Sequence, residues 1–82
     1  MTYPEVSFDV EADVLYVRLS GAEVRKTVAL SDLRLIDYAE DRSVIGIEFV
    51  GASAGVDLED VPFAPDVARA IGDSGLPIRT FA

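Results

Sequence analysis

The residues of this chain whose types and spacing could do chemistry are nearly all carboxylates. Asp9, Glu11 and Asp13 alternate, the spacing at which a calcium loop supplies oxygens from its first, third and fifth positions. Such a loop needs Gly at its sixth position and Glu at its twelfth, and here those positions hold Val14 and Ser20. The better reading of this segment is a turn whose aspartates accept backbone N–H bonds. Asp37, Glu40 and Asp41 are candidate ligands for Mg2+ or Ca2+, with Asp57, Glu59 and Asp60 as helpers, since both ions prefer oxygen. The competing reading of that run is a solvated hairpin loop. Glu48 lies within an apolar segment, so burial would demand a partner (Arg18, Arg34 or Lys26) or raise its pKa. A paired structural glutamate is the better reading than a general acid.

Other reaction classes find little to work with. The chain has no Cys and no His, which removes thiolate nucleophiles, disulfides, and the commonest catalytic base and zinc ligand. Six serines have no histidine base, and neither the S-x-x-K nor the G-x-S-x-G pattern occurs. Gly51–Gly55 (GASAG) lacks the lysine and spacing of a phosphate-binding loop. Carboxylate pairs suit glycoside chemistry, but a small sheet offers little walled pocket for it. The expectation is a protein that is not an enzyme and carries no cofactor.

The net charge of −8 over 82 residues disfavours nucleic acid and anionic membranes as partners. The charge is polarised: Arg18–Arg34 carries a net +2 and Asp37–Asp60 a net −6. That asymmetry can steer a partner, though solubilising the surface is reason enough for it. No stretch reaches 18 continuous apolar residues, and the acidic N-terminus does not read as a signal peptide, so a cytoplasmic protein is expected.

Positioning these side chains falls to a single small domain, because 82 residues leave no room for a second core. Glu5–Asp9 alternates with Val6 and Phe8 on one face and predicts a strand. Val14–Ser20 predicts a second, with Leu15, Val17 and Leu19 on one face and Val14, Tyr16 and Arg18 on the other. Glu23–Leu30 is a third, where Lys26 on the face of Val24, Val28 and Leu30 signals an edge position or a bulge. Leu33–Tyr38 and Ser43–Val50 complete five short strands, Ile45, Ile47 and Phe49 facing away from Val44, Gly46, Glu48 and Val50. Their regular spacing predicts an antiparallel β-meander.

The pattern changes after Val50. Gly51–Gly55 reads as a linker and Asp57–Val61 as one helical turn. A helix over Pro65–Asp73 follows, with Pro65 and Asp66 in its first turn and Gly75 as its stop. Its apolar stripe of Val67, Ala70 and Ile71 is expected to pack on the sheet together with Phe63 and Leu76. The tail Leu76–Phe81 reads as extended, able to add an edge strand. The fold class is thus α+β, a five-stranded meander over about 5–50, a linker and C-terminal helix over 51–76, and an extended tail over 77–82.

Large apolar groups lie on both faces of several strands, whereas a sheet with one solvated face should alternate more cleanly. One helix of about nine residues, some ~14 Å long, covers only part of one face. The expectation is a homodimer, formed sheet against sheet or through edge strands. A protein partner is a further expectation, and a small-ligand or divalent-metal binder the alternative.

Phe8-Asp9, Glu11-Ala12-Asp13 and Leu15-Tyr16-Val17 with Leu19 form one block; Asp37, Asp41, Val44–Glu48 and Ala52-Ser53 form another. In that order the two blocks resemble the small prokaryotic domains of unknown function of family 2283. The resemblance implies a small antiparallel sheet and no assigned reaction or catalytic residue. It brings the suggestion of toxin–antitoxin-like pairing, here with a small basic protein. Two departures stand out. The family's last hairpin has Asp-Gly where this chain has Asp41-Arg42, which predicts a longer loop. The region after Ser53 exceeds the usual domain, so the helix reads as an addition.

Overall fold

The computed structural model describes residues 2–82. Five strands build one antiparallel sheet: β1 (Glu5–Asp9), β2 (Val14–Arg18), β3 (Lys26–Ser31), β4 (Arg34–Tyr38) and β5 (Val44–Val50). Their order is β1-β2-β5-β4-β3. The expected antiparallel sheet is present, but β2 and β3 are not neighbours. The apolar β5, with Ile45, Ile47 and Phe49 all buried, takes the centre between β2 and β4. An exposed β3 falls to the edge, in keeping with Lys26, and its pairing with β4 shifts register between Ala29 and Ser31.

Because β2 and β3 lie apart, residues 19–25 must cross the ends of β5 and β4. Arg18 organises this crossing, its Nε donating to the Ser20 carbonyl at 2.8 Å and its Nη2 to the Ala22 carbonyl at 3.0 Å. The amides of Leu19 and Ser20 both donate to the Ile45 carbonyl, pinning the exit of β2 to the central strand.

The hydrophobic core lies on one face of the sheet. Leu15, Val17, Ile36, Ile47 and Phe49 supply it from the strands, and Val56, Leu58, Val61, Val67 and Ile71 close over them. The helix α1 (Ala64–Asp73) contributes Val67 and Ile71, one turn apart on its buried side. Ser74 caps its C-terminus with a hydrogen bond from its amide to the Ala70 carbonyl, and Gly75 at φ 77° turns the chain away. Leu76 packs against the core as expected, whereas Phe63 is 57% exposed. Phe63 stands at the N-cap with φ 57°, and that left-handed backbone directs it away from the sheet.

The segment Asp57–Val61, expected as one helical turn, begins extended and only then turns, the Val61 amide donating to the Leu58 carbonyl at 3.1 Å. Val56–Asp57 forms β6 and pairs in parallel with β7 (Thr80–Phe81). The Val56 amide donates to the Arg79 carbonyl at 2.9 Å and that of Leu58 to the Phe81 carbonyl at 2.7 Å. The tail therefore does add a strand, but to its own two-stranded sheet. Extension suits Val56 and Leu58, which both reach the core with Asp57 between them.

Candidate functional site

The face of the sheet opposite the core carries the polar residues of the central strands. Cross-strand register places Ser7 beside Tyr16, Tyr16 beside Glu48, Glu48 beside Leu35, and Thr27 beside Asp37. Tyr16 reaches from β2 across β5 to β4, where its hydroxyl donates to Asp37 Oδ2 at 2.8 Å. The other Asp37 oxygen accepts the Thr27 hydroxyl from β3 at 2.6 Å. One carboxylate thus links three strands. The crossing depends on Gly46, directly beneath the tyrosine ring. A Cβ there would lie 2.6 Å from Tyr16 Cζ and 2.7 Å from the Val17 carbonyl oxygen.

Partial burial raises the Tyr16 pKa well above the ordinary tyrosine value, and the hydrogen bond to Asp37 and that carboxylate's charge add to the effect. A raised folded-state pKa contributes stability that is intact below the unfolded value of about 10 and is lost as pH climbs above it. Thermal stability is therefore expected to fall more steeply above about pH 10 in the parent protein than in Tyr16→Phe. Parallel slopes for the two proteins would show that the hydroxyl is not held in its neutral form.

Glu48 shares this face, half-buried and without an ion pair among the described residues. Two of its expected partners point elsewhere. Arg18 holds the crossing loop, and Arg34 lies on the core side, where it donates to the carbonyls of Asp57 and Glu59 and approaches Asp57 Oδ2 at 3.9 Å. Arg34 thereby ties β4 to the β6 segment. Sequence reading missed this role, because a carbonyl acceptor 25 residues away leaves no local signal.

The remaining acids are separated, and four of them accept hydrogen bonds that shape turns or join segments. Asp9 Oδ1 accepts the Ala12 amide at 3.0 Å, closing the β1–β2 turn. Asp13, at φ 57°, accepts the Ser53 amide at 2.9 Å and the Ser53 hydroxyl at 2.7 Å. It thus fastens the first hairpin to the 3-10 turn Ala52–Ala54 that follows β5. Asp41 accepts the Ser43 hydroxyl and amide, and these bonds hold its carboxyl below the usual range. In that loop Arg42 takes φ 72°, the conformation an Asp-Gly pair would give to glycine, and five residues join β4 to β5. Asp57 Oδ1 accepts the Glu59 amide. Asp37 lies on the sheet while Glu40 and Asp41 lie in the hairpin loop. Among the described residues no three carboxylates gather at metal-holding distances.

Val44 also departs from the alternation expected of β5. The β4–β5 pairing shifts register so that Tyr38 opposes Val44, and Val44 packs against the core side. With Val6 and Leu19 it lines a groove beside α1, where Phe63, Asp66 and Asp73 form the opposite wall.

Five antiparallel strands, one face closed by a C-terminal segment and the other carrying a tyrosine–aspartate bridge, define a small one-sided sheet domain. The chain belongs to the family described as protein of unknown function (DUF2283), whose model matches residues 5–53, the span that forms the five strands. An uncharacterized protein of Methanocaldococcus jannaschii is 43% identical over 49 residues, 60% of this chain. The match spans 41% of that relative, less than half its length. No solved structure matches the chain. Tyr16, Asp37, Gly46 and Glu48, placed together on the open face, all lie within the family span, whereas β6, α1 and β7 lie beyond it. No helix among the described residues is long and apolar enough to cross a membrane.

Proposed function

We propose that this chain is a non-enzymatic interaction module acting as a homodimer, in which β3 of one copy pairs antiparallel with β3 of another. The observation that carries this reading is the exposure of the edge strand: Lys26, Thr27, Val28 and Ala29 all face solvent, with Val28 39% exposed. An edge presents unpaired backbone N–H and C=O groups that a second chain can satisfy. A two-fold axis through Ala29 sets Val28 opposite Leu30 and brings Lys26 toward Asp32, in the turn just after β3. The first pair is apolar and the second is of opposite charge, both favourable across strands. Lys26 and the register shift near Leu30 discourage indiscriminate pairing, which leaves a register that gives Lys26 a carboxylate.

Pairing through the open face is the weaker route. It would desolvate Asp37 and Glu48, and neither carboxylate has a cationic partner among the described residues.

Sedimentation equilibrium tests the reading. The parent protein is expected as a dimer at about 50 µM, and Val28→Lys should weaken association by about tenfold, since it removes an apolar pair twice per dimer. A parent protein that sediments as a monomer at that concentration would refute the proposal.

A further inference from the structure

The groove beside α1 has a composition that the edge-strand reading does not use. Val6, Leu19 and Val44 give it an apolar floor from β1, the end of β2 and β5. On the helix, Asp66, Ala70 and Asp73 share one face at i, i+4 and i+7, so a small residue lies between two carboxylates. Arg69 approaches Asp66 at 3.9 Å and offsets only one of the two charges. The groove measures about 630 Å³, within the range of roughly 300–1,000 Å³ usual for small-molecule sites.

Phe63 adds an exposed aromatic side chain to the rim of the groove. It stands at the helix N-cap, where Ser, Thr, Asp, Asn or Gly are preferred, and makes no side-chain cap bond. Its φ of 57° is a conformation that L-residues adopt at a cost, yet its ring is 57% exposed beside the groove. Neither helix capping nor core packing accounts for a phenylalanine held in this way.

We propose that this groove binds a small organic cation with an apolar body. The body would lie on Val6, Leu19 and Val44, and the ammonium would sit between Asp66 and Asp73 within reach of the Phe63 ring face. The wall's two carboxylates and one guanidinium, on a chain of net charge −8, select against an anion of the same shape. An exposed aromatic ring beside carboxylates also favours a cation through its negative face.

Phenethylammonium and 3-phenylpropionate are suitable probes, because they share the phenyl body and differ in the sign of the charge. In amide NMR spectra, phenethylammonium is expected to give saturable shifts at Val6, Leu19, Val44 and Ala70, with a dissociation constant on the order of millimolar. The propionate should give none. Phe63→Gly should weaken binding about tenfold while keeping or raising the melting temperature, because glycine accepts the left-handed backbone freely. Asp66→Asn should weaken it as well, without altering the aromatic ring. Three results would each overturn the proposal: no saturable shift with phenethylammonium up to tens of millimolar, equal responses to the two probes, or unchanged affinity in both variants.

Discussion

Gly46→Val is expected to lower the stability of the domain by about 2–4 kcal/mol, the larger part of it from overpacking. A Cβ at this position meets the Tyr16 hydroxyl oxygen and Tyr16 Cζ, the latter at 2.6 Å, and comes within 2.7 Å of the Val17 carbonyl oxygen. The tyrosine could swing aside, at the cost of its hydrogen bond to Asp37. The carbonyl belongs to β2, whose register with β5 is fixed along its length, so relief there requires the two strands to separate. Overpacking alone costs about 1–3 kcal/mol, and losing the hydrogen bond adds about 1 kcal/mol. A domain of this size has only about 4–12 kcal/mol to lose. Gly46→Ala isolates the Cβ from the bulk of valine. Denaturant unfolding of Gly46→Ala, Tyr16→Ala and the double variant should show that the alanine costs less once Tyr16 is gone. Additive effects would mean that the ring does not occupy the space above Gly46 in solution.

The second large effect is expected at Ile71. This residue is fully buried, together with Val67 on the same side of α1, in one core cluster with Leu15, Val17 and Phe49 of the sheet. Ile71→Ala should cost about 2–5 kcal/mol, from lost transfer energy and from the cavity left behind. The position lies outside the span matched by the family model, so the result also measures how far the sheet depends on its cover. Among the described residues, the C-terminal segment contributes five of the twelve buried apolar ones. If it is integral to the core, urea unfolding of Ile71→Ala remains a single transition with a lowered midpoint. A midpoint within error of the parent would show that the helix rests on the sheet without stabilising it.

Much of this architecture was legible in the chain, for a definable reason. Alternation in Leu15-Tyr16-Val17 and Ile45–Phe49 reports burial directly, because side chains in a strand point to opposite faces. Pro65, Asp66 and Gly75 mark the helix through local backbone chemistry, and they place its ends to within a residue. Lys26 announced an edge. Strand order was less accessible, since the same five segments could pair as a simple meander. The placement of β5 between β2 and β4 follows from comparing burial among strands, not from any one turn. The Val44 register shift and the extended β6 depend on partners distant in sequence, the latter on residues 79–81.

The candidate site was legible residue by residue but not as an arrangement. Along the chain Asp37 groups with Glu40 and Asp41, its neighbouring carboxylates. In three dimensions its partners are Tyr16 and Thr27, 21 and 10 residues away. Gly46, opposite Asp37 in an otherwise bulky strand, was the available clue, because a glycine inside a strand often marks a close approach from above. Asp13 is the turn residue its sequence suggests, but its bond to Ser53 spans 40 residues and joins the two blocks that carry the family resemblance. The sequence places Phe63 with the helix against the sheet, and no sequence signal predicts a left-handed phenylalanine at an N-cap.

Cross-linking through Ala29→Cys tests the β3 dimer most directly. The chain has no cysteine of its own, so the new thiol is unique. A two-fold axis at this residue brings the two Cα atoms to about 4.5–5.5 Å, the separation of directly opposed residues in an antiparallel pair and one compatible with a disulfide. The β3 dimer predicts rapid, near-complete conversion to a disulfide-linked dimer under mild oxidation, with Leu33→Cys on the adjacent turn reacting far more slowly. Equal and slow cross-linking of the two variants, with the parent protein sedimenting as a monomer, would contradict it.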